Sequence, residues 1–219
     1  SGAVLAAARD APLLLTPPTG LAPVVLDELE RLGASEAIVL GGPAALPEDV
    51  AAQVRDLGLD VRRIGGASRY ETSAMIAEEV GVDGTVLLAT GRGFADAVSA
   101  SAYAADRGWP VLLVDGDAVP APTLRVLEDA GTRRAVPVGG PDAIDESVLD
   151  TVRDAGVDVA GRLAGPTRWA TSAAVVDAHL GTSPGTEAIW VATGADFPDA
   201  LAAGAAAARA GAVLQTTPP

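Results

Sequence analysis

Arg63-Ile64-Gly65-Gly66-Ala67-Ser68-Arg69-Tyr70-Glu71-Thr72-Ser73-Ala74 returns later in the chain as Arg162-Leu163-Ala164-Gly165-Pro166-Thr167-Arg168-Trp169-Ala170-Thr171-Ser172-Ala173, an offset of 99. A long internal period makes each repeat one structural unit, so every other motif is read against it. Downstream, Ala89-Thr90-Gly91 and Phe94-Ala95-Asp96-Ala97 return as Ala192-Thr193-Gly194 and Phe197-Pro198-Asp199-Ala200, an offset of 103. The extra residues fall around Gly181 to Gly185, where Gly, Thr, Ser and Pro predict a loop. Upstream, Pro12-Leu13-Leu14-Leu15 matches Pro110-Val111-Leu112-Leu113, and Gly41-Gly42-Pro43 matches Gly139-Gly140-Pro141, both at an offset of 98. Residues 1–62 therefore read as the second half of a repeat, 63–161 as a complete one, and 162–219 as the first half of another. The two halves do not complete each other, because residues 1–16 and 200–216 encode the same Ala-rich segment and apolar run. The expectation is a segment of a longer array, or ends completed by neighbouring material. Ser1 to Ala8 looks like a signal-peptide remnant, but it aligns with Ser99 to Asp106 and is ordinary repeat.

Within the complete unit, short apolar runs alternate with helical patterns. Strands are predicted at Thr85–Ala89, Val111–Val114, Arg134–Val138 and Val157–Ala160. Helices are predicted from Glu71 or Thr72 to Val80, from Ala95 to Asp106, from Pro120 to Ala130, and from Asp142 or Ile144 to Asp154. The strand runs are apolar without alternation, as in sheets covered on both faces. The fold class is α/β: tandem repeats of about one hundred residues, each a mostly parallel sheet flanked by helices.

Composition removes much of the enzyme menu. The chain has 219 residues, 49% hydrophobic and 20% charged, with no run long enough to span a bilayer. It carries 15 basic and 29 acidic residues, a net charge of −14, and every basic residue is Arg. No cysteine means no disulfide, thiolate nucleophile or Cys-ligated metal, and no lysine means no Schiff base or P-loop lysine. The negative field argues against nucleic acid. The single histidine, His179, reads as a surface residue capping a helix end.

In parallel sheets ligands bind beyond the carboxyl ends of strands, and there Thr90-Gly91, Thr193-Gly194, Gly41-Gly42 and Gly139-Gly140 gather. Each Gly pair reads either as a tight strand-to-helix turn or as a place where a ligand approaches the backbone. Gly91-Arg92-Gly93-Phe94-Ala95-Asp96 is the nearest approach to a dinucleotide fingerprint, and it fails: Asp96, and Asp199 in the other copy, would face a pyrophosphate. Those acids suit a helix first turn or a neighbouring loop, with an interface role also open. Arg69-Tyr70 and Arg168-Trp169 pair a planar guanidinium with an aromatic face, suited to a carboxylate, a phosphate or a sugar. The same block also reads as the capped entry to a helix. No Gly-x-Ser-x-Gly, His-Glu-x-x-His or repeated carboxylate pair occurs, so no catalytic residues, metal ligands or cofactor are assigned.

Taken together, Arg63…Gly66…Arg69-Tyr70-Glu71-Thr72, Ala89-Thr90-Gly91…Phe94-Ala95-Asp96-Ala97, Pro110-Val111-Leu112-Leu113 and Val138-Gly139-Gly140 resemble the cell wall binding repeat 2 family over essentially the whole chain. The resemblance implies Toprim-like or Rossmann-like units, usually three in tandem, packed as a pseudo-threefold group. It implies an extracellular, wall-located protein held noncovalently to an anionic cell-wall polysaccharide or secondary wall polymer, with any enzymatic activity carried elsewhere. The family's Pro-Ile-Leu-Leu-type block, tied to polymer binding, matches Pro12–Leu15 and Pro110–Leu113; the third copy departs from it at Ala212-Val213-Leu214-Gln215. Three complete modules are not present in this chain.

A chain at −14 cannot attract a polyanion at long range. Recognition would then be local. It would run through Arg69 and Arg168, with Arg63, Arg162 and Arg92, in clefts between units, and Tyr70, Trp169, Thr90, Gly91, Thr193, Gly194, Gly139 and Gly140 are the other candidate ligand-binding residues. A divalent-cation bridge helped by Asp96 and Asp199 is the other route. The alternative function is a surface-layer or filament protein whose end half-repeats self-associate with neighbours; an enzyme on a doubly wound sheet is third.

Overall fold

The computed structural model describes residues 1–129, 131–183, 185–186 and 188–218. The first unit comprises α1 (Gly2–Ala8), an extended stretch through Leu13–Leu15, α2 (Pro23–Leu32), β1 (Glu36–Leu40), α3 (Glu48–Asp56) and β2 (Asp60–Ile64). β1 and β2 pair in parallel, from Glu36 with Asp60 to Leu40 with Ile64.

Next come α4 (Arg69–Val80), β3 (Gly84–Thr90), α5 (Ala95–Ser99), α6 (Ser101–Arg107), β4 (Val111–Val114), α7 (Ala121–Glu128), β5 (Thr132–Val138), α8 (Glu146–Asp154) and β6 (Asp158–Val159). Their strands form one parallel sheet in the order β4-β3-β5-β6. A further bridge from Val138 carries the pairing on to Leu163. The last unit holds α9 (Arg168–Thr182), β7 (Ile189–Thr193), α10 (Pro198–Arg209) and β8 (Val213–Thr217), with β7 and β8 parallel.

β3 takes a central place because its apolar run does not alternate. Val86, Leu87, Leu88 and Ala89 are completely buried, Val86 and Leu88 in one core and Leu87 and Ala89 in another, one on each face of the sheet. Each large side chain contributes about 1.5–3 kcal/mol by leaving water.

The three units meet through α1, α6 and α10. Ala3, Ser101 and Gly204 are the same repeat position at offsets of 98 and 103, and they converge. A Cβ built on Gly204 would lie 2.0 Å from Ser101 Oγ and 3.6 Å from Ala3 Cβ. Small residues at this position let the three helices approach a common point.

Several expectations change in detail. The predicted helix over 95–106 is divided at Ala100, where the Ser101 hydroxyl bonds the Val98 carbonyl at 2.6 Å; its counterpart α10, with Gly204 in place of Ser101, runs unbroken. The predicted helix over 120–130 is α7, with Ala130 outside the described residues. The predicted loop at 181–185 starts later, because α9 continues through Gly181 to Thr182, whose hydroxyl bonds the Ala178 carbonyl; Pro184 lies outside the described residues.

The third copy of the apolar block is displaced by one residue. The Ser73 hydroxyl receives the Leu113 N–H, and its equivalent Ser172 receives the Thr216 N–H, so the counterpart of Pro110–Leu113 is Val213-Leu214-Gln215-Thr216 rather than Ala212–Gln215. Sequence matching favoured the wrong frame because both frames place a Val-Leu pair against Val111-Leu112 or its neighbours. Gln215 therefore stands at the position of the fully buried Leu112, half-buried and bonded to the Thr216 carbonyl at 2.6 Å.

His179 is not a surface cap. It is 3% exposed, with its ring 5.1 Å from Tyr103 and Nε2 3.3 Å from the Asp106 carboxylate. Because α9 extends past it, its side chain faces α6 instead of solvent. Burial pushes its pKa below the ordinary value, against the opposing pull of Asp106. A lowered folded pKa means that protonation favours the unfolded chain, so the contribution to stability is intact above about pH 6.5 and declines as pH falls below it. The equivalent residue in the preceding repeat is Val80. His179→Val is expected to flatten the loss of melting temperature between neutral and mildly acidic pH; an unchanged slope would remove His179 from the cause.

Candidate functional site

The repeated residues converge at the carboxyl ends of the strands, in two roles. In the first, Arg63 lies half-buried under the loop after β1. Its Nη1 donates to the Gly41 carbonyl at 2.7 Å and the Leu46 carbonyl at 2.9 Å, and its Nη2 lies 3.2 Å from Glu48. Arg162 repeats this after β5, with Nη1 3.0 Å from both the Gly139 and Ile144 carbonyls and Nη2 3.6 Å from Glu146. A planar fork suits a clamp of this kind, since it reaches two carbonyls and a carboxylate at once. Gly41 and Gly139 sit beside these clamps at φ of 105° and 115°, which favour glycine.

In the second role, Arg69 and Arg168 begin α4 and α9. The Ser68 hydroxyl caps α4 by accepting the Glu71 N–H, and the Thr167 hydroxyl caps α9 by accepting the Ala170 N–H. The Thr72 and Thr171 hydroxyls reach back to the Gly66 and Gly165 N–H groups. The helix-entry reading of this block is thus correct in both copies. Arg69 and Arg168 themselves are exposed, and each makes one hydrogen bond among the described residues: Arg69 to the Gly91 carbonyl at 2.6 Å, Arg168 to the Gly194 carbonyl at 3.4 Å. Arg168 also places Cζ 5.6 Å from the Phe94 ring centroid.

The aromatic partners close down on glycine. A Cβ on Gly91 would lie 2.4 Å from the Tyr70 ring, and one on Gly194 2.8 Å from Trp169 Nε1. The bare backbone therefore admits a ring, which is the close approach that sequence reasoning had left between a turn and a ligand. Thr90 and Thr193 sit alongside, their hydroxyls accepting the Arg92 and Ala195 N–H groups, each at 3.2 Å.

Asp115 is the residue that the repeat pattern passed over. It pairs with Arg92 at 2.7 Å and with the Tyr70 hydroxyl, so that its pKa lies below the ordinary value, chiefly through Arg92, while burial pushes that of Tyr70 up. Its place in the last copy is taken by Pro218, and there the buried Trp169 Nε1 has no acceptor among the described residues. A residue present in one copy only leaves no repeat signal. Arg92 also bonds Asp117, and its counterpart is Ala195, so it serves a single unit.

Asp96 and Asp199 part company. Asp199 is exposed. Asp96 is half-buried against Gly139, whose built Cβ would lie 2.5 Å from its Oδ2; burial raises its pKa and the charge of Arg168 draws it down. The corresponding place between the first sheet and α4 is an open cleft of about 380 Å³, with Gly41, Gly42, Gly66, Ser68, Arg69 and Thr72 in its lining. Gly140 faces open space. Among the described residues no group of three or more His, Cys, Asp or Glu converges as a metal site, and no helix is long and apolar enough to cross a membrane.

Known proteins resemble this chain in sequence and in fold. The family model for cell wall binding domain 2 (CWB2) matches residues 63–149 and 162–219. The chain is 30% identical over 209 residues to the N-acetylmuramoyl-L-alanine amidase LytC of Bacillus subtilis strain 168, covering 95% of this chain and 40% of LytC. It is 27% identical over 172 residues to the amidase enhancer of the same organism, covering 78% of this chain and 23% of that protein. Cwp6 from Clostridium difficile superposes with a TM-score of 0.91 at 27% identity, over 100% of this chain and 35% of Cwp6. For Cwp8 the TM-score is 0.84 at 28% identity, over 99% of this chain and 38% of Cwp8. The chain spans 40% or less of the length of each of these relatives.

Proposed function

Because the chain belongs to the cell wall binding domain 2 family, we propose that it is a non-catalytic anchor, located at the cell wall or cell surface, that holds its parent protein noncovalently to an anionic wall glycopolymer. The observation that carries this reading is the family match to two successive stretches, in step with the internal repeat. LytC is named as an N-acetylmuramoyl-L-alanine amidase, and this chain matches only 40% of it, in keeping with a binding region beside a separate activity.

Within the site, the two kinds of arginine divide the work. Arg63 and Arg162 direct their forks at the fold's own carbonyls and acids. Arg69 and Arg168 are exposed, and each spends one hydrogen bond on the fold, to the Gly91 or the Gly194 carbonyl. We assign polymer contact to Arg69 and Arg168, as bidentate donors to phosphate or carboxylate. Such short-range recognition is compatible with a net charge of −14, where long-range steering is not.

The test is Arg69→Gln combined with Arg168→Gln, assayed for sedimentation with purified wall glycopolymer. Binding is expected to fall by about tenfold or more, with the melting temperature shifted by only a few degrees, since one main-chain hydrogen bond per site is lost. Unchanged binding would overturn the assignment. A parallel assay in EDTA separates the routes: binding lost there and restored by Ca²⁺ indicates a cation bridge, whereas direct arginine contact persists.

A further inference from the structure

The two arginines assigned to polymer contact stand beside different acids. Arg69 acts on Asp115, whose carboxylate is committed elsewhere: it lies 2.7 Å from Arg92 Nε and accepts from the Tyr70 hydroxyl, and chiefly these bonds hold its pKa below the ordinary value. Asp115 therefore stays charged in mild acid. Arg168 acts on Asp96, and this carboxylate has no such partners.

The fold brings Asp96 and Arg168 together at the carboxyl end of the complete sheet. Arg168, the first residue of α9, lays its guanidinium over the Phe94 ring, with Cζ 5.6 Å from the centroid. Asp96 follows two residues after Phe94, as the second residue of α5, which packs against α9. Its Oδ2 is pressed against Gly139, where a Cβ would lie 2.5 Å away. The carboxylate is half-buried and makes no hydrogen bond among the described residues. The neighbouring cations are already occupied. Arg162, across the Gly139 loop, donates to the Gly139 and Ile144 carbonyls with Glu146 beside it, and Arg92, on the loop before α5, pairs with Asp115 and Asp117. Arg168 is thus the one free counter-charge for Asp96 among the described residues. Its 3.4 Å bond to the Gly194 carbonyl also holds it more loosely than the 2.6 Å bond to the Gly91 carbonyl holds Arg69.

We propose that Asp96 gates the Arg168 cleft: charged, it competes with an anionic ligand for the Arg168 guanidinium, and protonated, it leaves that guanidinium to a phosphodiester group of the polymer. The proposal rests on the assignment of Arg168 as an anion contact. A phosphodiester is the ligand class that profits, because it keeps its charge in the range where a carboxylate ligand would lose it. Burial without a hydrogen bond disfavours the Asp96 carboxylate, so its pKa stands above the ordinary aspartate value despite Arg168, and it takes up a proton in milder acid than Asp115. Proton and anion then reinforce each other, since each binds better where the other is present. The Arg69 cleft, whose acid is committed to Arg92 and Tyr70, should hold its ligand equally across the same range.

Sulfate serves as the probe, because its charge is constant over the range and it is independent of the polymer. It is titrated into the 219-residue protein at about pH 5 and about pH 7.5, followed by the indole Nε1–H resonance of Trp169, the residue after Arg168. Affinity is expected to be about fivefold higher at the lower pH, and the Asp96 carboxyl resonance should titrate at higher pH with saturating sulfate than without it. Asp96→Asn should bind sulfate at neutral pH as tightly as the parent does in acid, without the rise on acidification and with an unchanged or higher melting temperature. His179, towards the other end of α9, titrates in both proteins alike, so a difference between the two profiles belongs to Asp96. A profile in Asp96→Asn equal to that of the parent overturns the proposal, as does an Asp96 midpoint that sulfate does not move, or a Trp169 signal that sulfate moves at neither pH. A lowered melting temperature in Asp96→Asn would assign the carboxylate to the fold and overturn it equally. Absence of polymer binding with the sulfate response intact would count against the anchoring function alone.

Discussion

Gly204→Leu is expected to lower stability by about 3 kcal/mol, and hence the melting temperature by about 6–12 °C for a chain of this size. Even a Cβ at this position would lie 2.0 Å from Ser101 Oγ and 2.8 Å from Ser101 Cβ, and the remaining atoms of Leu would extend into the junction of α1, α6 and α10. Ser101 is 2% exposed and its hydroxyl is bonded to the Val98 carbonyl, so it cannot rotate into solvent. The helices must then move apart, which uncovers Ala3, Ala6 and Ala205 where the first and last units touch. Limited proteolysis should cut the variant first within residues 189–217, while the β4-β3-β5-β6 sheet, with its own core, persists. Gly204→Ala combined with Ser101→Gly should recover much of the loss, because it moves the one permitted side chain from one helix to the other. A melting temperature equal to that of the parent in Gly204→Leu would show that the three helices do not meet closely in solution.

What could be read from the amino acids depended on repetition. β3 and β4 were legible because their runs are apolar and bounded by glycine, and the paired blocks at Arg63 and Arg162 placed α4 and α9 in equivalent positions. The convergence of site residues at strand ends followed from the parallel topology. What a linear reading does not contain is where a side chain points once a helix has a fixed length. His179 resembled a helix-end residue because Gly181 follows it; α9 nevertheless continues to Thr182 and presents the ring to Tyr103 and Asp106. The one-residue frame of Val213–Thr216 was decided by a hydrogen bond from Thr216 to Ser172, to which an apolar match is blind. Asp115, which organises Tyr70 and Arg92, has Pro17 and Pro218 at its places in the other copies and so left no repeated signal.

The arginines show the same division, and Arg162→Ala measures it. The substitution deprives the Gly139 and Ile144 carbonyls of their shared donor and removes a charge 3.6 Å from Glu146, at a side chain that is 19% exposed. Leaving such groups short of a partner costs about 1–3 kcal/mol, and the lost packing of the stem adds to it, so a destabilisation of about 3 kcal/mol is expected. Arg162→Lys should recover little, because a single ammonium cannot hold the planar fork geometry. Arg63→Ala should behave alike at its own loop, and the two losses should nearly add, since the clamps hold different loops and share no partner. Glycopolymer binding, measured at a temperature where the variants remain folded, should be retained, in contrast to the Arg69 and Arg168 pair. Loss of binding without loss of stability in Arg162→Ala would place the clamp arginine on the polymer and reverse the division of roles.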